Sequence, residues 1–69
     1  MLFTDLSSER IVTALMKKGF RVIRQGKHIA MSNGAIHLTI PRHSRVNPYT
    51  LKSIIRDAGL TNEEFRQLI

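Results

Sequence analysis

Three short runs of alternating apolar and polar residues, FRVIRQ, HIAMS and AIHLTIP, follow one another from Phe20 to Pro41, separated only by Gly26-Lys27 and Asn33-Gly34. No other stretch of the chain restricts the fold as much. Asn-Gly between alternating runs is the strongest short-range hairpin signal, and Gly-Lys suits a two-residue turn of the Gly-X kind. Connections this short join only antiparallel neighbours. The segment therefore predicts a three-stranded antiparallel meander. Turns centred on these dipeptides pair Gln25 with His28, Val22 with Met31, Ala30 with His37 and His28 with Thr39. One face then collects Phe20, Val22, Ile29, Met31, Ile36, Leu38 and Ile40. The other collects Arg21, Ile23, Gln25, His28, Ala30, His37 and Thr39. The first is the core face. Arg24 is out of place on it, which predicts either an edge arginine with its head in water or a bulge that shifts the register.

Helical patterns flank the meander. In DLSSERIVTALMKKGF, Ser7 is an N-cap, and Ile11, Val12, Leu15 and Met16 form one stripe. Gly19 supplies the left-handed residue that ends the helix. In NPYTLKSIIRDAG, Asn47 caps, Pro48 takes the first helical position, and Leu51, Ile54, Ile55 and Ala58 are the buried stripe. Thr61 and Glu64 make a capping box, with Leu60 and Phe65 as its hydrophobic staple, for a short C-terminal turn of helix. One apolar sheet face and two striped helices pack most economically with both helices on that face. The expected architecture is α+β, a two-layer α-β-β-β-α sandwich forming one domain over residues 1–69.

A chain of 69 residues has a thin core, so its surface carries much of the information about function. Eleven Lys and Arg stand against five Asp and Glu, for a net charge of +6. No acid lies between Arg10 and Arg56. A field of one sign attracts a polyanion, and nucleic acid is its default partner. There is no cysteine, no apolar run of membrane-spanning length and no signal-peptide pattern at the start, so a cytoplasmic protein is expected.

Three histidines, His28, His37 and His43, fall in this acid-free stretch. With no Asp, Glu or Cys nearby they lack a metal ligand set, and no acid is placed to orient a serine-hydrolase triad. No metal or other cofactor is expected. A histidine with cationic neighbours suits RNA, which carries its own nucleophile in the 2′-hydroxyl. A base to take that proton and cations to hold the phosphorane charge are sufficient in principle. His28, carried by the Gly26-Lys27 turn, is the candidate base. Lys27 and His37, diagonal to His28 in the expected register, are candidate helpers. Arg42, His43 and Arg45 precede the second long helix, where free N–H groups and guanidinium groups favour an anion. With Lys27 and Lys52 they are the expected RNA contacts. Each of these side chains also has an ordinary reading as solvated surface. On charge and fold alone, a non-catalytic RNA-binding module or a domain docking an acidic protein fits as well as a nuclease.

The spaced features GF…GKH…IPRH…TLKSIIRDAGLTNEEF resemble the HicA-type toxins of HicA/HicB toxin–antitoxin pairs, also called the YcfA-like family. The resemblance runs from the first helix to Phe65. It implies a fold like a double-stranded-RNA-binding domain, a ribonuclease acting on messenger RNA (an mRNA interferase), and a HicB-type antitoxin that blocks it. The histidine of the family's Gly-Ser-His motif maps onto His28. The serine of that motif is Lys27 here, which either adds phosphate affinity or alters activity.

Overall fold

The computed structural model describes residues 3–69; of the expected 1–69 domain, Met1 and Leu2 lie outside the described residues. The chain runs α1 (Ser8–Lys17), β1 (Arg21–Gln25), β2 (His28–Ser32), β3 (His37–Pro41), α2 (Pro48–Asp57) and α3 (Asn62–Leu68). The strands form one antiparallel sheet in the order β1-β2-β3. Ile29, Met31, Leu38 and Ile40 from the sheet meet Ile11, Ala14 and Leu15 of α1 and Leu51, Ile54 and Ile55 of α2 in one buried cluster. His28, His37 and Thr39 on the opposite face are exposed. This is the expected α+β arrangement, with the helices on one side of the sheet.

Local chemistry sets the helix ends. Ser7 accepts from the Arg10 amide, and Asn47 from the Tyr49 amide. At the end of α1, Gly19 takes φ +102°. Its amide donates to the Met16 carbonyl, and the Phe20 amide donates to the Leu15 carbonyl. That pair of bonds is a Schellman motif, and it turns Phe20 into the core. Gly59 and Leu60 repeat it after α2, with bonds to the Arg56 and Ile55 carbonyls. One expected core residue is misplaced: Met16 is 56% exposed, and Ala14 is buried instead. The buried stripe of α1 centres on Ile11 and Leu15, and Met16 lies about a quarter turn outside it.

Both hairpins depart from the expected register. Ser32 pairs with His37 and Met31 with Leu38, and the Asn33 amide donates to the Ile36 carbonyl at 3.2 Å. The bend is therefore at Gly34-Ala35, one residue beyond Asn33-Gly34. The cause is the Asn33 side chain, whose Oδ1 accepts from the amides of Ala35 and Ile36 at 2.9 and 2.7 Å. Asn33 thus stays out of the positive-φ region that an Asn-Gly type I′ turn requires, and only Gly34 enters it. The slip is by an even number, so every β3 side chain keeps its face.

The first hairpin shifts by an odd number. Val22 pairs with Met31 as expected, but Arg24 pairs with Ala30 and Gln25 with Ile29, with a bulge between Val22 and Arg24. Arg24 moves to the open face. Gln25, expected on that face, turns to the rim of the core face beside Ile29.

The C-terminal element is a full helix of seven residues, not a single turn. Its Phe65 is completely buried, and its ring meets Phe3 edge-on at 5.2 Å. Thr61 and Glu64 form the capping box in both directions. The backbone N–H of Thr61, then its hydroxyl, hold the Glu64 carboxyl below its ordinary value of 4.5, with Lys18 adding a smaller attraction.

Two outcomes follow. Phe65→Ala removes the largest side chain that α3 contributes, at a cost of about 3–5 kcal/mol. A domain this small has little more than that to lose, so the variant should show no cooperative urea transition by circular dichroism. For Glu64, a depressed native pKa means its contribution is present above 4.5 and is lost as pH falls through the native value. Carboxyl NMR titration should place the Glu64 midpoint below 4.5, and Thr61→Ala should move it part of the way back.

Candidate functional site

The β1–β2 turn brings together three of the expected site residues, Lys27, His28 and Arg42. Its three residues, Gly26, Lys27 and His28, bridge the Gln25–Ile29 pair. Both backbone polar groups of Gly26 are engaged. Its amide donates to the His28 carbonyl at 3.0 Å, and its carbonyl accepts from Nη1 of Arg42 at 3.1 Å. Arg42 follows Pro41, the residue paired with His28 across the sheet. The guanidinium therefore reaches from β3 past β2 to the turn and ties it down. With five N–H donors in the group, one bond to Gly26 leaves others for an anion.

His28 is exposed on the open face, and its side chain has no hydrogen bond or ion pair among the described residues. Lys27 precedes it. Arg24, brought onto this face by the bulge, pairs with Ala30. It is thus a diagonal neighbour of His28, at about 7–8 Å between backbones and within reach of a long side chain. Sequence reasoning missed Arg24 as a site residue. The signal was its misfit on the apolar face.

His37 is not brought to His28. It pairs with Ser32, four residues along β3 from the Pro41 that faces His28. At about 3.4 Å per residue the separation along the strands is roughly 13–14 Å. The diagonal contact expected from an Asn33-Gly34 turn does not form.

The loop between β3 and α2 is pinned to the segment before α1. The Ser8 amide donates to the His43 carbonyl at 3.0 Å, and the Val46 amide to the Leu6 carbonyl at 2.8 Å. Arg42 and His43 consequently line a groove at the start of α1, with Ser7, Ser8 and Glu9, rather than at the start of α2. Glu9 opposes an anion at that end of the groove. Arg45 points elsewhere, with its Nε 3.3 Å from an Asp5 carboxylate oxygen. That pair is exposed, and such pairs contribute about 0–1 kcal/mol, so both groups stay available to a ligand. Lys52 is exposed on α2, in the helical layer and away from the open sheet face.

The charge pattern supports one class of ligand. Of the five acids, Asp5, Asp57, Glu63 and Glu64 each sit within 4.0 Å of a cation. Lys27 and Arg24 have no such partner among the described residues. Among the described residues, no three His, Cys, Asp or Glu side chains converge as a metal-ligand set. No helix there is long and apolar enough to cross a membrane.

No curated protein and no solved structure matches the chain significantly. The model of one family, described as the HicA toxin of bacterial toxin–antitoxin, matches residues 8–60. The match spans α1, the whole sheet with its His28 turn, and α2. The chain belongs to the HicA family, RNA-cleaving toxins of bacterial toxin–antitoxin systems.

Proposed function

We propose that this toxin cleaves messenger RNA by internal transfer, with His28 moving the proton, and that a HicB-type antitoxin neutralises it. The observation that carries the reading is the surroundings of His28. An exposed imidazole stands on a turn tied at both polar groups of Gly26, with Lys27 adjacent and Arg24 diagonal to it, neither cation paired with a carboxylate among the described residues.

In this mechanism the imidazole takes the proton of a ribose 2′-hydroxyl. The oxygen attacks the adjacent phosphorus, and the phosphorane charge develops between Lys27 and Arg24, while Arg42 holds the turn from the other side through Gly26. The bond to the 5′-oxygen breaks, and that oxygen takes a proton. The products are a 2′,3′-cyclic phosphate and a 5′-hydroxyl. The proton given to the leaving oxygen replaces the one taken by His28, so the step balances, and we assign no metal or cofactor to it. Of the two candidate helpers, Lys27 is adjacent and His37 is two diagonal steps away. Lys27 is therefore the better donor to the leaving oxygen. A lysine where the family usually has serine fits this role and adds a phosphate contact. His43, Arg45 and Lys52 remain RNA contacts in this reading, at the periphery.

His28→Ala should reduce cleavage of RNA about a hundredfold to ten-thousandfold, the usual cost of losing a general acid or base. Because the side chain is exposed, fold and RNA affinity should persist, as measured by circular dichroism and by binding to a 2′-O-methyl oligonucleotide. Unchanged cleavage by the folded variant removes His28 from the mechanism. Absence of cleavage by the wild type, with binding intact, favours a non-catalytic RNA-binding module.

Arg24→Ala tests the cation placed by the bulge. It should weaken RNA binding and flatten the dependence of log affinity on log salt by about one unit. An unchanged slope means that Arg24 does not reach a phosphate.

A further inference from the structure

Tyr49 is the most exposed large hydrophobic residue of the described chain, at 71%. A single exposed aromatic needs no explanation; its surroundings do. Tyr49, Lys52 and Arg56 are spaced i, i+3 and i+7 on α2, so they share the outer face, opposite Leu51 and Ile54. Ile55, Leu60 and Asn62 complete a groove beside them, and no acid lines it. The Lys52 side chain has no hydrogen bond or ion pair among the described residues. Among the described residues the Arg56 side chain is held by an exposed contact with Asp57 at 3.5 Å, which a phosphate can replace.

The ring is also carried on fixed backbone. The Tyr49 amide donates to Asn47 Oδ1 at 2.8 Å, and its carbonyl accepts from the Ser53 hydroxyl at 3.3 Å. Pro48 precedes it at the first helical position. An aromatic face on a rigid helix start, flanked by two cations, is the arrangement on which single-stranded nucleic acid stacks a base while its phosphates are held. An acidic protein segment would use the cations but has no need of the exposed ring.

We infer that Tyr49 is a stacking platform for an unpaired base of single-stranded RNA, with Lys52 and Arg56 on the adjoining phosphates. The inference rests on the RNA reading of the chain but concerns a surface in the helical layer, apart from the His28 turn. It gives the toxin a second grip on its substrate, one that selects unpaired RNA over duplex.

The chain itself supplies the probe: Tyr49 is its one tyrosine, and it has no tryptophan. The experiment titrates the wild-type protein with a short single-stranded 2′-O-methyl oligonucleotide, which cannot be cleaved, and follows tyrosine emission. Stacking quenches the emission. Inorganic polyphosphate, which has the charge but no bases, should bind without quenching. Tyr49→Ala should weaken oligonucleotide binding about five- to 150-fold at unchanged salt slope, and Tyr49→Phe should keep most of the affinity. Unquenched emission in a complex that forms, or full affinity in Tyr49→Ala, overturns the stacking site and leaves the RNA reading standing. Loss of antitoxin protection in such a full-affinity variant would assign the face to the protein partner instead. If the wild type fails to bind the oligonucleotide at all, the RNA reading falls, and the stacking site with it.

Discussion

A guanidinium cannot be left in a thin apolar core, and the sheet is built around that constraint. Strict alternation from Val22 would put Arg24 on the apolar face beside Ile29. The bulge at Ile23 inserts one residue, and Arg24 turns out to the open face. The same half-step carries Gln25 to the rim and leaves three residues, Gly26 to His28, to close the hairpin. Arg42 can then reach the Gly26 carbonyl. The histidine turn, its tether and its neighbouring cation are all consequences of keeping one charge in water.

The helical layer makes this arrangement rigid. Buried side chains from α1, α2 and α3 meet Met31 and Ile40 in one cluster. The two strand-like contacts of the β3–α2 loop with Leu6 and Ser8 fix where Arg42 leaves the sheet. An exposed turn ordinarily samples many conformations. Here both polar groups of Gly26 are occupied, and β2 is paired on both sides. The turn that carries His28 is thus held by one cross-sheet hydrogen bond and one local one.

The legible parts of the chain were those set by short-range pattern. The faces of β2 and β3 follow from alternation, and they survived a misplaced bend because a shift of two residues preserves parity. The helix caps at Ser7, Asn47 and Thr61 follow from side-chain chemistry within three residues. The misfit of Arg24 was visible, but not which resolution the sheet would choose, since that depends on packing against α1. The bend itself was misjudged because the Asn33 side chain competes with the backbone for the Ala35 and Ile36 amides. The surroundings of His43 and Arg45 were out of reach, because they depend on a segment more than thirty residues earlier in the chain. The outward face of Tyr49 follows from its place off the Leu51–Ile54–Ile55 stripe, but the groove beside it does not, because Leu60 and Asn62 come from beyond the helix end.

Phe65 closes the core, yet it is synthesised long after the turn that carries His28. While the chain is still emerging, the histidine and its cations exist without the layer that holds them in place. The basic turn is a local product of the chain, whereas the packed layer behind it is complete only when a side chain from a distant segment docks.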